Sequence, residues 1–124
     1  MQQPSHRSAA APLALGYALL VAYASLYPFS GWRVTADPWW LFLVSWPRYW
    51  LRFDVISNWL GYIPLGFLCA AATLSSARAS AHSKTWLVLV VAFCALFSMA
   101  MEVTQNYLPW RVPSLADFTL NSAG

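Results

Sequence analysis

The sequence predicts an all-α protein, a polytopic transmembrane helical bundle with three spans, one interfacial helix and the start of a fourth span. Two observations support this fold class. The 124-residue chain is 60% hydrophobic and 9% charged, whereas soluble domains carry about 25% charged residues. It also contains three apolar stretches, at residues 9–29, 55–76 and 86–108, each at least as long as the ~18 residues that identify a candidate spanning helix. A chain of this length has room for a single domain, residues 1–124.

The first apolar stretch allows two interpretations. Arg7, the apolar run after it and the tripeptide Ala22-Tyr23-Ala24 match a secretory signal peptide with its cleavage site. The apolar run nevertheless continues to Phe29, which gives it the length of a membrane span. We therefore favour a first helix that is retained.

The connection between the first two spans is rich in tryptophan. It holds five of the eight tryptophans: Trp32, Trp39, Trp40, Trp46 and Trp50. Asp37-Pro38 is typical of a helix N-cap followed by proline at the first helical position. The apolar residues that follow are too few to cross a membrane, and Pro47 interrupts them. Residues 38–53 are therefore predicted to form an interfacial helix at the level of the lipid headgroups.

Charge excludes one class of partner and leaves the orientation open. The formal net charge is +3, and the seven basic residues are scattered without a basic run, so no nucleic-acid partner is predicted. Across the predicted spans these residues divide almost evenly: Arg7, Arg78 and Lys84 against Arg33, Arg48, Arg52 and Arg111. The positive-inside rule gives no orientation from this division.

The cysteines and histidines show no pattern typical of a metal site. Cys69 and Cys94 fall in the middle of the second and third spans, outside any C-x-x-C motif. His82 falls in a short polar loop, residues 77–85, where solvation is the ordinary state. We expect the cysteines to fill gaps between helices as small apolar residues. The sequence predicts no metal and no cofactor.

Several polar residues that a membrane span normally avoids fall toward one side of the predicted bilayer. Because the second and third spans are antiparallel, the start of one and the end of the other lie on the same side. A charged side chain at the bilayer centre costs on the order of 2.5–3.5 kcal/mol, and such residues usually face a bundle interior and mark function. The candidate pocket residues are Asp54, Asn58, Glu102, Gln105, Arg111, Asp117 and Asn121.

Helical spacing arranges these residues in stripes, because residues three and four apart are neighbours on a helix surface. In the second span the stripe is Asp54, Asn58, Gly61 and Leu65. In the third span it is Val91, Ala95, Ser98, Glu102 and Gln105. After Pro113 the order acid, amide, glycine recurs at Asp117, Asn121 and Gly124. A pocket in which Arg111 pairs with Glu102, Asp117 or both is the functional interpretation.

A purely structural interpretation of the same residues stays open. Asp54 can serve as a helix N-cap, and Ser114 with Asp117 matches the S-x-x-D capping-box pattern. Asn58 and Gln105 can join helices by hydrogen bonds worth ~0.6–2 kcal/mol. The predicted packing or kink positions are Gly61, Pro64, Gly66 and Gly124.

These motifs resemble the VanZ-like family of bacterial integral membrane proteins. The resemblance rests on Asp54-Val-Ile-Ser-Asn58, on Gly61-Tyr-Ile-Pro64-Leu-Gly66 and on Glu102-Val-Thr-Gln105. It continues through Leu108-Pro-Trp-Arg111-Val-Pro-Ser114 and Asp117-Phe-Thr-Leu-Asn121-Ser-Ala-Gly124. Tyr27-Pro28-Phe29 and Gly31-Trp32 also look like the family. Members usually continue into at least one further hydrophobic helix, of which we expect this chain to hold the first turns.

The resemblance implies a multi-pass protein of the bacterial inner (cytoplasmic) membrane and leaves three functions open. The family is named after a protein associated with low-level resistance to the glycopeptide teicoplanin. The first function is a cell-envelope or resistance module whose pocket binds a lipid-linked or peptidoglycan-related molecule. The second is a membrane enzyme acting on a lipid-linked substrate, with Glu102 and Asp117 as acid and base and Arg111 holding a phosphate. The third is a proton-coupled transporter with Glu102 as the carrier.

Overall fold

The structure, a computed structural model, describes residues 8–44, 52–75 and 83–123, without the side chains of residues 53 and 54. Within these ranges the chain is all-helical and contains no strand, so the all-α prediction is confirmed there. The α-helices are α1 (Ala10–Leu26), α2 (Arg52–Leu74), α3 (Ser83–Gln105) and α4 (Leu115–Ala123), and a short 3₁₀ helix covers Leu41–Leu43.

Two of these helices are long and apolar enough to cross a membrane. They are Val55–Leu74 within α2 and Ser83–Gln105, which is the whole of α3. The apolar helix α1 has 17 residues, or about 25 Å at 1.5 Å per residue, which is less than the ~30 Å hydrocarbon core. It ends before the predicted residue 29 because Tyr27 is extended. Tyr27 precedes Pro28, and proline disfavours the helical conformation in the residue before it.

The second and third helices begin and end a few residues earlier than the apolar stretches at 55–76 and 86–108 suggested. At the end of α3 the chain tightens into turns, in which Asn106 N–H donates to Glu102 O and Leu108 N–H donates to Gln105 O. Pro109 then prevents the helix from continuing through Leu108. The apolar stretch predicted a helix end that is too late, because apolar residues continue past the point where the backbone turns.

The predicted interfacial helix at residues 38–53 is seen only in part. Its described portion forms the 3₁₀ helix Leu41–Leu43, which starts after Trp40 without a side-chain cap. Asp37 is therefore not the N-cap that Asp37-Pro38 suggested. Phe42 is buried while Trp39 and Trp40 are exposed. Residues 45–51, with Trp46, Pro47 and Trp50, lie outside the described residues, as does the loop at 76–82.

Helix α2 packs against each of the other three helices. The core between α1, α2 and α3 is formed by Val21, Tyr62, Leu65, Val90 and Cys94. Cys69 packs against this core, and both cysteines are free thiols, as expected for gap-filling residues. Ser75 Oγ at the end of α2 donates to Ser8 Oγ before α1 (3.2 Å), so α1 and α2 are antiparallel.

The buried stripe of α3 differs slightly from the predicted one. Its buried residues are Val90, Cys94, Ser98 and Glu102, whereas Val91 is 57% exposed. The buried residues are spaced by four, and because a helix turn has about 3.6 residues, their stripe rotates gradually around the helix. The predicted stripe, with spacings of three and four, would stay on one face. The outward faces remain apolar, with Leu15, Leu19, Leu60, Phe67 and Leu96 among the exposed side chains. Large apolar patches of this kind mark a membrane or protein contact surface.

The segment after α1 crosses the end of α3. Arg33 N–H donates to Tyr107 O (2.9 Å). Gly31 has φ +75° and lies so close to Pro109 that a Cβ on it would be 3.0 Å from Pro109 Cγ. This close approach helps to hold the turn at residues 106–113, which carries Arg111 to the last turn of α1.

Candidate functional site

Four helix ends meet at one end of the bundle. The last turns of α1 and α3 and the first turns of α2 and α4 lie there, as the antiparallel arrangement of α2 and α3 predicts. Four hydrogen bonds of side chains tie these ends together: Asn58 to Asp117, Gln105 to Ser25, Arg111 to Ala24, and Ser114 to Glu102.

The start of α4 is held by a variant of the capping box in which one of the two acceptors comes from another helix. Ser114 Oγ accepts a hydrogen bond from Asp117 N–H (3.1 Å), as the S-x-x-D pattern predicts. In the standard box the acid three residues on would accept the N–H of the capping serine. Here Ser114 N–H instead donates to Glu102 Oε2 of α3 (3.1 Å). Glu102 is 2% exposed, so a buried carboxylate joins α3 to the start of α4.

Because Glu102 takes this role, the Asp117 carboxylate points to α2. Asn58 Nδ2 donates to Asp117 Oδ1 at 2.7 Å, a length typical of a charge-assisted hydrogen bond. Asp117 and Arg111 both lie within electrostatic range of the Glu102 carboxyl. The site therefore brings two carboxylates and an arginine close together where α2, α3 and α4 converge.

Gln105 and Arg111 bind the end of α1 through its backbone. Gln105 Nε2 donates to Ser25 O (3.1 Å), and Arg111 Nη2 donates to Ala24 O (3.0 Å). These carbonyls belong to the last turn of α1, where no intrahelical N–H is available for them. We expected Arg111 to pair with Glu102, Asp117 or both, and the hydrogen bond that the structure shows for it goes to a helix-end carbonyl, which attracts a cation. Its attraction for Glu102 acts over a longer distance.

These side chains surround a partly open space of about 280 Å³, which we call the polar cavity. Six of the seven candidate pocket residues line it: Asn58, Glu102, Gln105, Arg111, Asp117 and Asn121. The seventh is Asp54, which lies in the first turn of α2 and whose side chain is outside the described residues. The structure therefore brings the predicted residues to one space, and their function there stays a prediction.

Six further residues line the polar cavity that sequence reasoning missed: Ser25, Ser57, Tyr62, Met101, Trp110 and Val112. Ser57 and Ser25 give little signal, because a serine is tolerated in an apolar helix. Tyr62 follows Asn58 by four residues, so helical spacing could have found it. The end of α1 could have been found from topology, since it must lie beside the start of α2.

Two buried polar atoms of the cavity wall lack a hydrogen-bond partner in the described part of the chain. They are Asn121 Oδ1 and the Tyr62 hydroxyl, each in a residue that is 3% exposed. Ser98 Oγ lies next to the Tyr62 hydroxyl, so these two hydroxyls can serve as partners for each other, which Asn121 Oδ1 lacks within the described ranges. Leaving a buried polar group unsatisfied costs ~1–3 kcal/mol. Such groups in native proteins are usually satisfied by water or a bound molecule.

A second space of about 290 Å³, which we call the apolar groove, adjoins the polar cavity between α1 and α2. Its own lining includes Tyr17, Leu20, Val21 and Gly61. Six residues line both spaces, namely Ser25, Ser57, Asn58, Tyr62, Gln105 and Arg111. The two spaces therefore form a continuous surface that is polar at the helix ends and apolar along the helices.

Comparison with known proteins assigns the family. The family model described as VanZ/LLP1 matches residues 2–124. The chain belongs to the VanZ/LLP1 family. No curated protein matches it, and no solved structure matches it either. The VanZ/LLP1 match spans every residue of the polar cavity, so the resemblance inferred from the motifs is confirmed.

The predicted packing or kink positions of this VanZ/LLP1 chain lie in different surroundings. Gly61 lines the apolar groove, and Pro64 lies within α2, which stays helical around it. Gly66 is partly buried in α2, and Gly124 is outside the described residues. In the described part of the chain no group of three or more histidine, cysteine or acidic side chains is placed to hold a metal ion.

Proposed function

We propose that this VanZ/LLP1 chain is a multi-pass protein of the bacterial cytoplasmic membrane in which α1, α2 and α3 all cross the bilayer. Two helices of spanning length support this topology. Helix α1 is antiparallel to α2 and keeps Leu15 and Leu19 exposed on its outer face. A slight local thinning of the bilayer, or the residues after Leu26, accommodates its shorter length. The polar cavity then opens at one membrane face.

The polar cavity, in this proposal, binds the polar part of an envelope component, such as a lipid-linked or peptidoglycan-related molecule. The observation that carries the proposal is Asn121, whose Oδ1 atom is buried in the cavity wall without a partner among the described residues. A space of about 280 Å³ equals roughly nine water molecules at ~30 Å³ each. That volume suits a headgroup or the end of a peptide.

Binding is favoured over catalysis because both carboxylates of the site already have structural bonds. Glu102 accepts the Ser114 N–H and Asp117 accepts an Asn58 N–H. A general acid or base must exchange its proton during the reaction, and a proton carrier must do so during transport. A carboxyl group that holds the start of α4 through one oxygen could exchange a proton only on its other oxygen, and that bond constrains its position. The enzyme and the proton-coupled transporter therefore remain the alternatives.

The experiment is a comparison of molecules that co-purify with the protein from bacterial membranes. Wild type, Glu102→Gln and the control Gly16→Leu are purified in the same mild detergent, and their extracts are compared by mass spectrometry. Gly16 lies in α1 away from both spaces, and a Cβ there meets no other group within 4 Å. We expect at least one envelope molecule to be enriched with wild type and Gly16→Leu and depleted with Glu102→Gln. Identical extracts from all three would refute the proposal.

A cellular test addresses the proposed envelope role. Cells expressing the protein are compared for teicoplanin susceptibility with cells expressing Glu102→Gln, Arg111→Ala or Asp117→Asn. These charges are costly near lipid and are not needed merely to cross it, so we expect each variant to lose the phenotype at an unchanged membrane level. If all three variants fail to accumulate, the residues serve structure and the pocket interpretation loses its support.

A further inference from the structure

The unsatisfied atoms of the polar cavity are mainly hydrogen-bond acceptors. Asn121 Oδ1 is an acceptor, and the Tyr62 hydroxyl can act as one. Glu102 uses one carboxylate oxygen for the Ser114 N–H, and a carboxylate has about four acceptor sites in all. A ligand that reaches this depth therefore has to bring several donors.

Two amide side chains of the same wall each use one of their two N–H donors within the protein. Asn58 Nδ2 donates to Asp117, and Gln105 Nε2 donates to a backbone carbonyl of α1. The wall also carries the acidic side chains of Glu102 and Asp117, whose charged forms a cation would stabilise, and Arg111 stands at its exposed edge. A primary ammonium group carries three N–H donors and a positive charge. It matches the acceptors that this wall leaves open.

Arg111 supplies the opposite chemistry at the mouth. It lines both the polar cavity and the apolar groove, and the bond to Ala24 O uses one of its five N–H donors. A guanidinium with donors to spare binds phosphate well, often with two parallel hydrogen bonds. The boundary between the two spaces is therefore suited to a phosphate group.

The apolar groove continues from that boundary toward the middle of the bundle. Val21 and Gly61 form part of its lining, and Leu20 on its rim is exposed. The groove is continuous with the polar cavity through the six residues they share. A hydrocarbon chain attached to the phosphate would leave the cavity along this groove and enter the surrounding lipid.

We propose that the occupant is a lipid with a phosphoethanolamine headgroup. Its ammonium binds at Asn121, Tyr62 and Glu102, its phosphate binds Arg111, and one of its chains lies in the apolar groove. This headgroup carries an ammonium and a phosphate joined by a two-carbon link, which are the two groups that the two ends of the site are suited to bind. This proposal rests on the proposed binding function of the polar cavity.

The test measures lipid binding to the delipidated full-length protein in detergent by native mass spectrometry. The probes are phosphatidylethanolamine, phosphatidylglycerol with the same chains, and water-soluble glycerophosphoethanolamine. We expect phosphatidylethanolamine to bind at least about tenfold more tightly than phosphatidylglycerol, because the latter lacks the charged donor, and one hydrogen bond to a charged group is worth about that ratio. Glycerophosphoethanolamine should bind more weakly than the lipid, since it has no chain for the groove.

Three substitutions separate the three contacts. Asn121→Leu should weaken only phosphatidylethanolamine, whereas Asn121→Asp keeps an acceptor and should retain it. Arg111→Gln, at an exposed position, should weaken both lipids equally. Gly61→Leu should fill the apolar groove and weaken both lipids while leaving glycerophosphoethanolamine unaffected. Gly16→Leu is the matched control, because a Cβ at either glycine meets no other group within 4 Å.

The outcomes distinguish this proposal from the more general one. If glycerophosphoethanolamine binds as tightly as the lipid and Gly61→Leu has no effect, the lipid proposal is wrong and a polar ligand in the cavity remains. Equal binding of the two lipids, unchanged by Asn121→Leu, overturns the assignment of the ammonium. If no variant changes the binding of any probe, this proposal falls, and the co-purification comparison of wild type with Glu102→Gln decides the proposed binding function separately.

Discussion

Two substitutions at Glu102 should separate its structural role from its role in binding. Glu102→Leu removes the acceptor of the Ser114 N–H and leaves that N–H without a partner at a residue only 9% exposed. Glu102→Gln keeps the size of the side chain and an oxygen that accepts the same bond. We expect the first variant to loosen α4 and the second to leave α4 in place while losing the ligand.

The magnitude follows from the hydrogen bond itself. Leaving a buried N–H without its acceptor costs ~1–3 kcal/mol, and ~2 kcal/mol corresponds to about a 30-fold change in an equilibrium constant. Opening of α4 should therefore become about 30-fold more frequent in Glu102→Leu, and less than about threefold more frequent in Glu102→Gln. The Asn58–Asp117 bond remains in both variants, so α4 should not detach completely.

Hydrogen–deuterium exchange of the α4 amides measures this opening directly. Ser98→Ala is the matched control, because Ser98 is buried one turn before Glu102 and its neighbour is the Tyr62 hydroxyl of α2, not α4. We expect α4 exchange in Ser98→Ala, and exchange in the first half of α1 in every variant, to stay at the wild-type level. Unchanged α4 exchange in Glu102→Leu would show that Glu102 does not anchor α4.

Three further predictions follow from the described contacts. A double-mutant cycle with Asn58→Leu and Asp117→Leu should give a coupling of ~1.5–3 kcal/mol in unfolding, the value for a hydrogen bond to a charged group; additive effects would show that the 2.7 Å bond contributes nothing. Gly31→Ala should destabilise the protein by ~1–3 kcal/mol, because it adds strain at a positive φ and a contact 3.0 Å from Pro109; an unchanged melting temperature would contradict this. Cysteines introduced at Ser75 and at Pro109 should react with an impermeant reagent from opposite sides of the membrane, and equal labelling from outside cells would refute the three-span topology.

The sequence predicts the helices and the convergence of polar residues well, because both depend on simple geometry. Long apolar stretches become α2 and α3, and their antiparallel order brings Asn58 and Glu102 to the same end. The end of α1 was also readable from the sequence. Pro28 marks it, but an apolar run counted through that proline predicts a longer helix.

The partners of the individual side chains could not be predicted in the same way. The S-x-x-D motif leads to the expectation that Asp117 returns to the Ser114 N–H, whereas packing of α3 against α4 gives that N–H to Glu102. The choice depends on a distance between helices, which no local motif records. For the same reason the sequence suggested a carboxylate for Arg111, and the structure gives it a carbonyl of α1.

The structural and functional interpretations of the polar residues turn out to be compatible. Asn58, Gln105, Arg111 and Glu102 all join one helix end to another through hydrogen bonds. Asn58 and Gln105 each use one of their two amide N–H donors in these bonds, which reduces the number of donors that can face the cavity. Asn121 differs, since its Oδ1 joins nothing in the described part of the chain although it is almost fully buried. A role in stability alone does not explain a buried oxygen without a hydrogen-bond partner. Asn121 is therefore the position at which function, rather than folding, can best be tested.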